Sequence, residues 1–261
     1  MKNTNTFYAI GILAFLSLAS CSFAQTIWND GAGDQSWSST GNWNTGVVPG
    51  AATAVQIGTQ PTGNAIGIDI TGVIVASFAF NNTLTAITDI TTATGVETLQ
   101  INGAITNNTA FTNSFSLPVF AGGSAVWTGP LNFTNIVGVS TNQITLANAI
   151  TFTGSSLNFD VTNATTYGRF LGAGTATVTG VTINIGGAYT GVASDTFDFS
   201  SGNFSGATLG TLPVLGGGLT WNTTNFLTTG VLTVVPEPTT WALLAGSLTT
   251  VMIFRRRRSN V

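Results

Sequence analysis

The sequence has 261 residues, of which 6 are Lys or Arg, 9 are Asp or Glu and none is His. Without histidine, Ser-His-Asp and Cys-His nucleophile systems and histidine-based zinc sites are excluded. From residue 25 to 234 eight acidic residues accompany a single base, Arg169, so this region has a net charge of −7. It therefore lacks the basic patch that nucleic acid requires of a partner.

The first 24 residues have the pattern of an export signal. Lys2 precedes an apolar stretch from residue 7 to 19, and the small-x-small sequence Ser22-Phe23-Ala24 precedes Gln25. This pattern predicts export through the general secretion machinery and cleavage by signal peptidase between Ala24 and Gln25.

Cys21 leaves a second interpretation of the N-terminus open. Leu18-Ala19-Ser20-Cys21 fits a lipobox, in which the cysteine becomes the lipidated first residue of the mature protein. We favour cleavage after Ala24, because its context is equally good and a separate C-terminal signal is present. The mature chain then contains no cysteine and no disulfide.

Residues 25–234 show the periodicity of strands. Apolar and small or polar residues alternate, as in Ile66-Gly67-Ile68-Asp69-Ile70, and pairs such as Asn102-Gly103 separate these stretches. We therefore expect one all-β domain, with helix only in the N-terminal signal and in a C-terminal apolar segment. The predicted strand stretches are 54–57, 66–70, 73–80, 99–105, 125–133, 144–152, 156–161, 175–185 and 231–235.

Two architectures fit this pattern. Strands rich in Thr, Asn and Gly that recur roughly every 20 residues favour an irregular parallel β-helix, a solenoid in which stacked Asn and Thr side chains satisfy each other's polar atoms. A β-sandwich is the second choice, because the coils align into no strict repeat. In addition, Asn102-Gly103 is a hairpin signal that favours antiparallel pairing.

Trp28, Trp37 and Trp43 also leave two interpretations open. They could stack on the sugar rings of a glycan, or they could form the hydrophobic cap that one end of a solenoid needs; we favour the cap. Between them, the segment Asp30-Gly31-Ala32-Gly33-Asp34 suggests calcium, but it lacks the alternating ligands of an EF-hand loop. No metal site is predicted.

No catalytic residue is predicted. The single lysine lies in the export signal, which excludes Lys-based chemistry in the mature chain, and the sequence has no phosphate-binding loop. The closest carboxylates, Asp30 with Asp34 and Asp195 with Asp198, match no catalytic motif and are typical of turns. We expect no enzyme activity and no cofactor, and we expect Arg169 to pair with a nearby acid.

The C-terminal segment combines three features. Val235-Pro236-Glu237-Pro238 is followed by an apolar run from 241 to 254 and then by Arg255, Arg256, Arg257 and Arg258. A helix over the run would be about 21 Å long, short for a hydrocarbon core of roughly 30 Å, and the arginines would hold its end at the cytoplasmic side. An ordinary membrane anchor has the same hydropathy. The combination resembles the PEP-CTERM sorting signal of Gram-negative bacteria, with Pro236, Glu237 and Pro238 as its motif.

This resemblance implies a destination and a partner. In that family an exosortase, a membrane protease-transpeptidase, recognises the signal, here residues 235–261. The protein would pass through an inner-membrane intermediate, held by a short transmembrane helix at 241–254, to the cell surface or the extracellular matrix. Segments 26–50 and 219–232 are similar to the opening and closing segments of surface proteins with autotransporter-associated β-strand repeats; neither segment carries a known chemistry.

The expected function is therefore that of an exported, non-catalytic surface or matrix protein associated with extracellular polysaccharide. One alternative is a carbohydrate-binding module that uses the tryptophans. A less favoured alternative is a polysaccharide hydrolase or lyase on a β-helix, which would need a pair of carboxylates.

Overall fold

The computed structural model describes residues 24–154, 156–200 and 204–237. Residues 1–23 of the predicted export signal, Pro238, the apolar run 241–254 and the arginine cluster 255–258 lie outside the described residues. Short strands dominate the described part, which confirms the all-β prediction. Within these ranges, no helix is long and apolar enough to cross a membrane.

Most strands contain only three to five residues. In chain order they are β1 (Ala24–Trp28), β2 (Thr53–Ile57), β3 (Ala65–Ile68), β4 (Val73–Val75), β5 (Ser77–Phe80), β6 (Asp89–Thr92), β7 (Leu99–Ile101), β8 (Ile105–Asn107), β9 (Asn113–Phe115), β10 (Val119–Ala121), β11 (Ala125–Thr128), β12 (Leu131–Phe133), β13 (Val137–Ser140), β14 (Gln143–Leu146), β15 (Ile150–Thr153), β16 (Ser156–Asn163), β17 (Thr166–Tyr167), β18 (Arg169–Leu171), β19 (Ala176–Thr179), β20 (Val181–Gly186), β21 (Thr196–Asp198), β22 (Ala207–Leu209), β23 (Leu219–Asn222) and β24 (Val231–Pro236).

Three parallel sheets contain most of these strands. Sheet A has the order β1-β2-β5-β8-β11-β14-β18, sheet B β3-β6-β9-β12-β15-β19, and sheet C β4-β7-β10-β13-β16-β20-β22. The chain visits sheets A, B and C in turn, in six triplets: β2–β4, β5–β7, β8–β10, β11–β13, β14–β16 and β18–β20. Each strand in a triplet thus pairs in parallel with a strand of a neighbouring triplet. Antiparallel pairs occur between β16 and β17 and in a terminal sheet of order β21-β24-β23.

The prediction of a hairpin at Asn102-Gly103 is wrong. These residues join β7 to β8, which lie in different sheets. Neither residue has the positive φ that a two-residue type I′ hairpin requires. A Cβ at Gly103 would lie 2.6 Å from the carbonyl oxygen of Ala76. Ala76 occupies the same corner, meaning the short connection from sheet C to sheet A, in the preceding triplet. Glycine is needed here because stacked corners approach closely, not because the chain reverses.

Several predicted strand stretches contain a corner and span two sheets. Stretch 73–80 contains β4 and β5, and stretch 125–133 contains β11 and β12. Between β11 and β12, Gly129 has a φ of 93°, and a Cβ there would lie 2.2 Å from the carbonyl oxygen of Asn107. The alternating pattern continues across such corners, so it does not reveal them.

The core is one cluster of inward-facing side chains, many of them aromatic. Phe115, Phe133 and Phe152 are register partners on β9, β12 and β15. Their rings stack with centroid separations of 5.1 and 5.4 Å and interplanar angles of 8° and 15°. Each contact of this kind stabilises by about 0.5–1.5 kcal/mol beyond the burial of area, so the in-register column fixes how triplets stack.

The expectation that helix is confined to the terminal signals is wrong. One α-helical turn, α1 (Phe226–Thr229), and two 3-10 turns, Thr40–Asn42 and Thr62–Asn64, lie within the β domain. The turn α1 buries Phe226 and ends at Gly230, whose φ is 75° and whose N–H donates to the Phe226 carbonyl at 2.8 Å. A single turn closed by a glycine is too short to leave a helical period in the sequence.

Candidate functional site

The first two residues of the Pro-Glu-Pro motif lie at the end of the terminal sheet. Pro236 is the last residue of β24 and pairs with Leu219 on β23. The N–H of Glu237 donates to the carbonyl of Gly218 at 2.8 Å. Both residues are exposed. The last strand thus extends two residues past the predicted domain boundary at residue 234.

The predicted cleavage bond lies at the start of the first strand. Ala24 pairs with Thr53 and Gln25 pairs with Ala54, both on β2. Cleavage between Ala24 and Gln25 would leave four of the five residues of β1 in the mature chain.

The three predicted tryptophans form a buried cluster at the first edge of sheets A and B. Trp28 and Trp37 are 0% exposed and Trp43 is 2% exposed. The Trp43 ring contacts Trp28 at 5.1 Å and Trp37 at 4.7 Å, both edge to face. This burial leaves no ring face free to meet a sugar, so it favours the cap interpretation over the glycan-stacking one. Their position is the one that the cap interpretation requires.

Polar contacts hold the loop that carries these tryptophans. The Asn42 side chain is fully buried; its Nδ2 donates to Asp34 Oδ1 at 2.6 Å and its Oδ1 accepts from the Ala32 N–H at 2.9 Å. The Trp37 N–H donates to the Gly67 carbonyl at 2.9 Å, which adds the loop to the edge of β3. The end of the core is therefore closed by ordered backbone, not by solvent.

The carboxylates of Asp30 and Asp34 bond to the neighbouring turn at Thr62 and to this loop, respectively. Asp30 Oδ2 accepts from the N–H of Thr62 at 2.9 Å and from its hydroxyl at 2.6 Å. Asp34 Oδ1 accepts from the Ser36 N–H at 3.1 Å as well as from Asn42. In the part of the chain that the structure describes, no group of three or more His, Cys, Asp or Glu residues could hold a metal ion.

Two other carboxylates have shifted pKa values. Glu97 is 2% exposed and accepts hydrogen bonds from the Thr94 hydroxyl and from the N–H groups of Thr94, Gly95 and Val96. The Thr94 hydroxyl is the main cause that lowers the pKa of Glu97. Burial raises the pKa of Asp89, which is half-buried and accepts from the Ser116 hydroxyl at 2.8 Å.

Three acids later in the chain have separate local partners. Asp160 accepts from the Ser140 hydroxyl at 2.9 Å, and Asp195 accepts from the Tyr189 hydroxyl at 2.5 Å. Asp198 accepts weakly, at 3.3 Å, from the Ser200 N–H. These hydrogen bonds hold turns and strand ends, which is the structural role expected of the closely spaced pairs.

Among the described residues Arg169 pairs with no acid, so the expected ion pair is wrong there. Its guanidinium carbon lies 5.2 Å from the centroid of the Tyr167 ring, and its Nη2 donates to Gln143 Oε1 at 3.3 Å. Among the described residues it makes no ion pair. A cation over an aromatic ring and an amide oxygen replaces the carboxylate.

The outer surfaces of the sheets carry rows of amides and hydroxyls that bond to each other from triplet to triplet. Asn184 Nδ2 donates to Asn158 Oδ1 at 2.9 Å on sheet C. On sheet B the Thr153 hydroxyl donates to Asn132 Oδ1 at 3.2 Å. Such rows satisfy polar atoms without charge, as predicted for stacked Asn and Thr side chains.

One small cleft lies beside α1. It has a volume of about 240 Å³ and is lined by Asn222, Asn225, Thr229, Val231 and Thr233. None of these side chains is titratable, so the cleft has no group for acid-base chemistry.

No family model, no curated protein and no solved structure matches this chain.

The sequence interpretation missed one exposed aromatic side chain, Phe120 on β10, which is 37% exposed. Its neighbours Val119 and Ala121 are buried. The alternation within Val119-Phe120-Ala121 carries the signal, because two inward residues place the one between them outside.

Proposed function

We propose that this protein is an exported, non-catalytic surface or matrix protein, which an exosortase sorts and which associates with extracellular polysaccharide. The observation that carries the proposal is the exposed position of Pro236 and Glu237 at the end of the last strand of a β domain. A motif that a membrane enzyme reads must be accessible when the domain before it is folded. Exosortase, signal peptidase and the secretion machinery are the partners in this proposal.

We infer that the three parallel sheets form an irregular parallel β-helix and not a β-sandwich. Support comes from the order A, B, C in successive triplets and from one continuous core cluster. The irregularity has a measurable origin. Val119 pairs with Val137, 18 residues on, whereas Phe78 pairs with Ile105, 27 residues on, so corner lengths differ between triplets.

The arrangement of carboxylates supports a non-catalytic role over a glycoside hydrolase. Glycoside hydrolysis uses two carboxylates across one bond, and the acid of the pair has a raised pKa. Burial raises the pKa of Asp89, but the described hydrogen-bond partner of its carboxylate is the Ser116 hydroxyl. Asp34 and Asp69 both accept hydrogen bonds from Ser36, but hydrogen bonds outweigh burial and lower the pKa of each carboxyl, so neither has the raised pKa of the acid in such a pair.

The proposal is tested by replacing Pro236, Glu237 and Pro238 with alanine. The variant should accumulate as a longer, membrane-held species, because alanines do not reproduce the stiff extended backbone of the motif. Mass spectrometry of termini in membrane, surface and medium fractions measures the outcome. A Thr223→Ala/Thr224→Ala variant, altered at exposed positions of the same region, should be processed normally. Equal processing of the motif variant and the parent would end the proposal.

A further inference from the structure

Along sheet C, outward side chains lie flat over glycines that belong to the next strand, as Gly138 and Gly186 do, or directly follow it, as Gly122 and Gly210 do. A Cβ at each glycine would fall within 2.7 Å of the overlying side-chain atom, so each glycine leaves the space that the neighbouring side chain occupies. The four pairs are Asn102 over Gly122 (1.9 Å), Phe120 over Gly138 (2.4 Å), Asp160 over Gly186 (2.7 Å) and Asn184 over Gly210 (2.2 Å). This face is therefore a shallow platform instead of a surface of upright side chains.

Phe120 is the aromatic centre of this platform. It pairs in register with Gln100 on β7 and with Gly138 on β13. Its ring contacts Gly138 and stays 37% exposed, so it is held in place while it faces solvent. A ring that is already ordered loses little rotamer freedom when a ligand stacks on it.

Amide side chains flank the ring on both sides. Gln100 Nε2 donates to Asn102 Oδ1 at 2.8 Å, and Asn184 Nδ2 donates to Asn158 Oδ1 at 2.9 Å. A side-chain amide has two donor hydrogens and two acceptor sites. Asn184 Oδ1 already accepts from the N–H and from the hydroxyl of Thr211, so Asn184 offers a ligand hydroxyl its second N–H. The bonds described for Gln100 and Asn158 leave both donor and acceptor capacity. The bonds between amides also fix the direction in which that capacity points.

The charge of the platform selects the ligand. Asp160 is its carboxylate and accepts from the Ser140 hydroxyl, and residues 25–234 have a net charge of −7. Acidic polymers would be repelled, and a neutral polyhydroxylated chain would not. Parallel strands about 4.8 Å apart repeat the outward positions along the stack, which suits an extended polymer more than a compact solute.

We propose that the outer face of sheet C binds a neutral, extended polysaccharide, with Phe120 stacked on a sugar ring and Gln100, Asn158 and Asn184 bonded to its hydroxyls. This inference rests on the proposed function, since it names the ligand class and the site of polysaccharide association.

The test is retention of the full-length protein, in one mild detergent, on amorphous cellulose, insoluble β-1,3-glucan and chitin, with alginate as the acidic comparison. Retention on at least one neutral polymer should exceed that on alginate, and Phe120→Ala should weaken it roughly tenfold, in the range of one lost aromatic contact. Phe120→Leu, which still covers Gly138, should weaken retention by a similar factor. Phe120→Trp should be retained on the polymer as well as the parent is. Circular dichroism and thermal melting verify the fold of each variant.

Val126→Ala is the matched control, because Val126 is also an exposed apolar side chain (46%) but lies on sheet A. It should be retained like the parent. Failure of the parent to bind any neutral polymer, preference for alginate, or equal retention of folded Phe120→Ala would each overturn the inference. Processing of the Pro-Glu-Pro variant is measured separately, so the proposed function can stand or fall independently.

Discussion

Asp69 accepts two hydrogen bonds from Ser38, one from its N–H at 2.8 Å and one from its hydroxyl at 2.6 Å. The Ser36 hydroxyl donates to the same carboxylate. Burial acts to raise the pKa of Asp69, but the hydrogen bonds from Ser36 and Ser38 outweigh it, so the pKa is lowered. One carboxylate directly after β3 therefore ties the tryptophan-bearing loop to sheet B.

Asp69→Ala should loosen this loop. Hydrogen bonds to a charged group contribute about 1.5–3 kcal/mol, and we expect a loss of free energy of unfolding near the lower end, because Asp69 is only half-buried. Urea unfolding followed by tryptophan fluorescence measures it. Asp198→Ala, at an exposed residue whose carboxylate accepts one hydrogen bond from a described residue, at 3.3 Å, should change stability by less than about 0.5 kcal/mol. Equal losses of unfolding free energy in the two variants would contradict the role of Asp69 in holding this loop.

Two carboxylates should give opposite pH dependence. The Thr94 hydroxyl and backbone N–H groups lower the folded-state pKa of Glu97, so its stabilisation is present above the unfolded value, about 4, and is lost as pH falls through the folded value. Burial raises the pKa of Asp89, so its unfavourable contribution at neutral pH disappears on acidification. Glu97→Gln should make stability less sensitive to acid and Asp89→Asn more sensitive.

Urea midpoints at about pH 7 and about pH 3.5, on either side of the usual carboxyl pKa, compare the two variants with the parent. The same change of midpoint with pH in both variants would show that neither carboxylate contributes as described.

Trp37→Ala should destabilise the protein by about 3–5 kcal/mol, because it removes a fully buried ring that packs on Trp43 and Phe78. Trp37→Phe should cost much less, since the buried indole N–H of Trp37 has no hydrogen-bond partner among the described residues. Thermal unfolding checks both variants. Neither should change retention on polysaccharide once folded, and a specific loss of retention would restore the glycan-stacking interpretation.

Gly129→Ala should destabilise more than Gly72→Ala. Both glycines have positive φ, 93° and 66°, so alanine at either carries a backbone penalty of about 1–2 kcal/mol. At Gly129 a Cβ would also lie 2.2 Å from a backbone oxygen, whereas at Gly72 nothing lies within 4 Å. Denaturant unfolding of the two variants compares them directly. Similar losses of unfolding free energy in the two variants would mean that the close approach of stacked corners contributes little to stability.

The alternation of apolar and polar residues was enough to predict an all-β domain. It depends only on neighbouring residues, because successive side chains of a strand point to opposite faces. The same local pattern does not mark where one sheet ends and the next begins. Ala76 continues the mostly apolar stretch from Val73 to Phe80 and nevertheless separates β4 from β5.

Which strands pair was decided by tertiary structure. Asn102-Gly103 has the composition of a hairpin, but β7 pairs with β4 and β10, and β8 pairs with β5 and β11. Contacts between residues about 20 positions apart determine this choice, and no local propensity contains them. The stacked rings of Phe115, Phe133 and Phe152 are one such set of contacts.

Tertiary structure also decided which aromatic side chains are exposed. The sequence by itself determined the low charge, the alternation and the terminal signals on which the proposed sorting depends. It did not determine that Trp28, Trp37 and Trp43 are buried while Phe120 faces solvent. Burial depends on which loop covers the end of the stack and which glycine lies in register beneath a ring, and both conditions exist only when distant segments are packed together.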